Sequence, residues 1–240
     1  MIRIIRSTLL FLGYIFFSIG ALIISFFVFP LLKFQKNFKQ KASAVIQKTW
    51  FWLIKYLEFC QIIKVNYPKE ICKIRNKVVV ATHLSYVDIV ILIALIPNSV
   101  CLVKQSLAKN FIMKNIIKSL YITNDEGVEA FEKQSSAAID EGFNIIIFPT
   151  GQRVDVNEKV NIHKGAALIS IKNNVSVVPI KIELSSEFLP KNKFFCDAGK
   201  KTVVFDIKIQ DEIVPEFLRE AGMSDISLRN KICGLIKDLI

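Results

Sequence analysis

The sequence predicts an α/β domain with a mostly parallel central sheet flanked by helices, preceded by an N-terminal membrane-embedded helical segment. Three observations predict it. Beyond residue 64, short β-branched runs alternate with helical stretches, the pattern of strands joined through crossover helices. Two polar clusters, Thr82 to Asp88 and Phe148 to Arg153, each follow an apolar run, as where the carboxyl ends of parallel strands gather ligand-binding loops. Near the start, Leu9 to Leu32 form 24 consecutive residues without a charge.

Residues 1–64 are assigned to a membrane-anchoring helical segment and residues 65–240 to one folded domain. At about 1.5 Å per residue the uncharged run is long enough to cross an apolar layer of about 30 Å. A cleaved signal peptide fits poorly, because Lys33 and Phe34 follow where small residues would mark a cleavage site. Arg3 and Arg6 flank one end; Lys33, Lys36, Lys39 and Lys41 flank the other. A single span would put the heavier positive side, and the rest of the chain, in the cytoplasm, at the inner membrane if the cell is bacterial. A break at Gly20 or Pro30 would instead make a half-inserted hairpin with both ends on one side, and both readings stay open. Residues 42–63 form a second helical candidate whose Trp50, Phe51, Trp52 and Tyr56 suit either the membrane interface or packing on the domain.

In the domain, 77–82, 99–103, 120–123, 144–148, 175–184 and 202–209 read as strands. Residues 86–96, 105–118, 126–141 and 158–172 read as helices, with one or two more in 211–240. No internal repeat or low-complexity linker interrupts them.

Composition narrows the function classes. The chain has 52% hydrophobic residues and a mean hydropathy of +0.42, high for a freely soluble protein. Its net charge is +11, from 32 basic and 21 acidic residues. No recognisable nucleic-acid module accompanies that charge, so it is assigned to anionic lipid headgroups and an acidic co-substrate, with no nucleic-acid partner. The five cysteines include no CxxC pair, which suggests neither a zinc site nor a disulfide framework. No metal cluster is indicated.

The chemistry is concentrated in the two polar clusters. His83 at a strand exit offers a base, and Asp88 offers a carboxylate to hold one ring nitrogen in the right tautomer. Five residues of regular helix turn through about 500°, which would put the two on different faces. A turn at Leu84-Ser85 must intervene, with Ser85 capping a helix that starts near Tyr86. In the second cluster Gly151 lets the backbone approach a ligand, and Arg153 offers a planar fork of donors suited to phosphate. Such a set suits acyl transfer to a hydroxyl on a phosphate-bearing acceptor.

At these residues the chain resembles the glycerol-phosphate and lysophosphatidic acid acyltransferase family. His83 and Asp88 match its HxxxxD motif. Phe148-Pro149-Thr150-Gly151-Gln152-Arg153 stands against FPEGTR, Lys164-Gly165-Ala166 matches a Lys-Gly-Ala segment, and Val177-Val178-Pro179-Ile180 matches a later Val-Pro motif. The resemblance covers roughly residues 78 to 183. It implies a membrane-bound O-acyltransferase that moves a fatty acyl group from acyl carrier protein or coenzyme A, as co-substrate, to a lysophospholipid hydroxyl, with no other cofactor. His83 and Asp88 would be catalytic, and Arg153, Gly151, Thr150 and Lys104 would bind the acceptor's phosphate. The chain departs from the pattern at Thr150, Gln152 and Asn124, where the family usually has glutamate, threonine and arginine. These departures fall on acceptor-contacting positions and leave the base intact. Two rival readings follow: a thioesterase using the same pair on water, and an inactive lipid-binding homologue. His163 is a rival base, with packing its expected role. The sequence leaves oligomeric state open.

Overall fold

The computed structural model describes residues 1–103, 116–117, 120–123, 127–154, 161–190 and 196–240. The predicted helix at 105–118 lies largely outside them, as do Lys104 and Asn124.

The amino-terminal part is a pair of long helices, α1 (Ile2–Leu32) and α2 (Phe38–Phe59). Neither Gly20 nor Pro30 breaks α1. One π-helical turn, Ile24–Val28, precedes Pro30 and absorbs the irregularity a proline imposes on the backbone ladder. The two helices run antiparallel along their whole length. Tyr56 near the end of α2 donates to the carbonyl of Leu9 (2.8 Å), Phe17 stacks on Trp50 (3.9 Å), and Phe29 meets Phe38 edge-on (5.9 Å). Gly13 permits the closest approach: a Cβ there would lie 2.6 Å from the Tyr56 ring.

Both ends of this pair are tied to the rest of the protein. Arg6 is buried and donates to the carbonyls of Gln61 (2.7 Å) and Lys201 (2.7 Å), Arg3 pairs with Asp197, and Ser7 Oγ accepts from the Ala198 amide. At the other end, Lys39 pairs with Glu141 and Ser43 donates to the Ser99 carbonyl. The apolar helix therefore lies alongside the domain and does not project from it.

Among the described residues, seven strands form one sheet in the order β1-β7-β6-β2-β5-β3-β4. They are β1 (Ile63–Asn66), β2 (Val78–Ala81), β3 (Ser99–Val103), β4 (Ile122–Thr123), β5 (Asn144–Ile147), β6 (Val177–Leu184) and β7 (Val203–Ile209). All neighbours are parallel except β6 and β7. The mostly parallel α/β reading is correct. The second helix ends at Phe59 and not at residue 63, and the unexpected β1 follows, its apolar/polar alternation of Ile63, Lys64, Val65 and Asn66 only four residues long and running on closely from the helix. Ile63 and Val65 are buried in β1, and pairing with β7 holds the strand.

Alternate residues of the central strand face two cores. Val79 and Ala81 join the core under α1, α2 and α3 (Asp88–Leu95). Val78 and Val80 join the core under α4 (Val128–Asp140), α5 (Gly165–Asn173) and α7 (Asp225–Leu239), with α6 (Pro215–Leu218) a single turn before α7. Helix α5 starts later than the predicted residue 158. Residues 161–163 are not helical, because the His163 amide donates to the Pro149 carbonyl (2.7 Å) and so joins the motif loop.

Candidate active site

The carboxyl ends of β2 and β5 lie side by side, Val80 facing Ile147 in parallel register. The chain leaving β2 makes a tight turn before α3, and its centre is Asp88. One oxygen, Oδ2, accepts from the amides of Leu84 (2.6 Å) and Ser85 (2.7 Å) and lies 3.2 Å from His83 Nδ1. The predicted turn is present, but α3 begins at Asp88 and not near Tyr86. Ser85 is not its cap: its Oγ accepts from the Val87 amide (3.3 Å) and closes the turn one step earlier.

An oxygen that accepts two backbone N–H groups suits a third donor, and a proton on His83 Nδ1 would supply it and leave the Nε2 lone pair free. Asp88 is fully buried, and its Oδ1 has no hydrogen-bond partner among the described residues. Burial pushes the carboxyl above its ordinary range, while the His83 ring and the two amides pull it down by less. His83 keeps a little exposure, its side chain 18% accessible, and its ring stacks on Phe148 at 4.1 Å.

The loop after β5 is built more lightly. Gly151 takes φ +67°, in the left-handed region, and a Cβ there would come within 3.2 Å of the His163 ring. Thr150 Oγ1 donates to the Gln152 carbonyl (2.6 Å), closing the loop on itself with a hydroxyl where the family pattern has a carboxylate. Arg153 lays its guanidinium over the Tyr86 ring, 3.3 Å from the centroid, and donates through Nη1 to the Leu189 carbonyl (3.1 Å). The Val154 amide donates to the His83 carbonyl (2.9 Å), so the two motif loops are joined through their backbones.

Of the sequence-predicted residues, the structure thus brings together His83, Asp88, Thr150, Gly151 and Arg153. Gly165 starts α5 against Phe131, and Pro179 sits in β6 opposite Val80. Sequence reading missed Tyr86, Phe148 and Leu189 as site residues. The first two lie inside the motifs and their aromatic character was visible; nothing marks Leu189. A cleft of about 550 Å³ opens beside the loop, lined by Phe131, Phe148, Thr150, Gln152 and His163 among others. Among the described residues no three His, Cys, Asp or Glu side chains cluster as a metal site would require.

The family model described as Acyltransferase matches residues 62–183, half of the chain. No curated protein matches in a sequence search. Among solved structures, the 1-acyl-sn-glycerophosphate (LPA) acyltransferase PlsC from Thermotoga maritima has a similar fold. The TM-score is 0.73 at 20% identity, covering 99% of this chain and 95% of that one.

Proposed function

This chain belongs to the acyltransferase family, and from that premise we propose that it transfers a fatty acyl group from a coenzyme A or acyl carrier protein thioester to a hydroxyl of a lysophospholipid such as lysophosphatidic acid. The observation that carries this reading is the contact between His83 Nδ1 and the buried Asp88 at 3.2 Å, one strand away from an arginine-bearing loop.

In the proposed reaction, His83 Nε2 takes the proton from the acceptor hydroxyl as that oxygen attacks the thioester carbonyl carbon. A C–O bond forms, the tetrahedral intermediate collapses, the C–S bond breaks, and the departing sulfur takes the proton back from the imidazolium. Asp88 holds the ring and stabilises its transient positive charge. Arg153 binds the acceptor's phosphate, with Gly151 keeping the backbone clear and Thr150 holding the loop's shape. Lys104, expected near the same anion, lies outside the described residues.

The helix pair supplies a place for the reaction. Helix α1 is the one described helix long and apolar enough to cross a membrane, and Phe16 and Phe27 on its free side are 70% and 68% exposed. Both ends of the helix pair are tied to the domain, the near end through α1 and the far end through α2, so the proposed seating is in the plane of one leaflet, with the active site beside the lipid surface.

The test is a labelled acyl thioester incubated with the purified protein, with and without lysophosphatidic acid in mixed micelles. Label in diacyl product only when the acceptor is present supports the proposal. Free fatty acid released equally in both cases would replace it with a thioesterase, and binding without any turnover would replace it with an inactive lipid-binding protein.

A further inference from the structure

Tyr86 occupies the turn between His83 and Asp88. It lies half-exposed under Arg153, the guanidinium carbon 3.3 Å above the ring centroid. A flat cation on an aromatic face is attracted by the ring's quadrupole without using any of its N–H donors. Among the described residues, only Nη1 is committed elsewhere, to the Leu189 carbonyl at 3.1 Å. That carbonyl is itself fixed: Leu189 is buried with φ +47°, a region leucine rarely adopts, and its neighbour Phe188 packs edge-on against Phe205 of β7 at 6.0 Å. Arg153 is therefore held from one face and one corner, and among the described residues the rest of its fork is left for an anion.

We infer that Tyr86 is a positioning residue for the acceptor's anionic group, setting the distance between that group and the reacting hydroxyl. The inference rests on the reading of Arg153 as the acceptor's phosphate ligand. Because Tyr86, His83 and Asp88 share one turn pinned by Asp88 Oδ2 and Ser85 Oγ, base and anion clamp move as one body. An acceptor whose hydroxyl and phosphate are wrongly spaced satisfies the two less well together. The substrate class implied is a lysolipid with an unblocked phosphate a few bonds from the free hydroxyl.

The experiment compares full-length wild type with Tyr86→Phe, Tyr86→Leu, Tyr86→Met and Arg153→Ala, measuring kcat, acceptor KM, donor KM and thermal unfolding. Tyr86→Phe keeps the ring face and should stay within about 2-fold of wild type throughout. Tyr86→Leu and Tyr86→Met keep apolar bulk without that face and should raise acceptor KM by about 3- to 30-fold, with kcat and donor KM little changed. If Arg153→Ala raises acceptor KM and neither Tyr86→Leu nor Tyr86→Met does, the inference about Tyr86 is overturned and the reading of Arg153 stands. If Arg153→Ala leaves acceptor KM unchanged, that reading falls and this inference with it. A loss confined to kcat, shared by Tyr86→Phe, would assign Tyr86 to packing of the His83 turn and so overturn the inference.

Discussion

The exits of β2 and β5 are neighbours in one sheet, but they are built to different standards. At the first, a fully buried carboxylate gathers three donors on one oxygen and fixes an imidazole. At the second, a partly exposed loop closes through one side-chain hydroxyl and a few backbone bonds, and its arginine rests on a ring face and a single carbonyl. The difference follows from what each is proposed to do. A base must sit within hydrogen-bond reach of the proton it takes, so small misplacement is costly. A charge clamp acts through a force that falls only gradually with distance, and it tolerates a looser frame. Two of the chain's three departures from the family pattern, Thr150 and Gln152, fall on the looser exit, and none falls on the tighter one.

The largest effect that would break this comparison is at Asp88. Asp88→Asn keeps the shape but cannot stabilise an imidazolium, and turnover should fall by about 10²-fold or more. Stability should not fall with it. The folded-state carboxyl is raised by burial, so the folded protein holds that proton more tightly than the unfolded chain. The ionised form is then a cost to folding near neutral pH, relieved as pH falls through the raised folded value. Thermal unfolding of Asp88→Asn should therefore match or exceed wild type at pH 7, the difference shrinking on acidification. A variant that unfolds much earlier would show the carboxylate to be mainly structural.

Next in size is the clamp. A hydrogen bond to a charged partner contributes about 1.5–3 kcal/mol, so Arg153→Ala should raise acceptor KM by roughly 10- to 150-fold while leaving kcat within a few-fold. An equal loss in kcat would mean that the second exit takes part in the chemical step and that the contrast is drawn too sharply. The smallest effect is expected at Thr150. Thr150→Val removes one neutral hydrogen bond, worth about 0.5–1.5 kcal/mol, and acceptor KM should rise by about 2- to 10-fold. No change at all would show that Gly151 and the backbone alone shape the loop.

The sequence disclosed the tighter exit better than the looser one, for a physical reason. His83 and Asp88 are close in the chain, and the angular step of a helix already required the turn that the structure contains. The parallel sheet was legible because buried strands such as Val78–Ala81 read as unbroken apolar runs. The support of Arg153 was not legible, since Leu189 stands 36 residues away and reaches the site through tertiary packing of the segment before β7. Likewise, the uncharged run of α1 was plain in the sequence, but its tethering at both ends depends on Asp197, Lys201 and Phe38, which no local pattern connects to it.

Acyl transfer by a His83→Ala variant decides what the imidazole does. Purified in the same micelles as wild type, with the same thermal unfolding, it should form diacyl product slower by about 10²- to 10⁴-fold at saturating acceptor, with little change in donor KM. Near-normal turnover by a folded His83→Ala protein would contradict the assignment of that imidazole as the base.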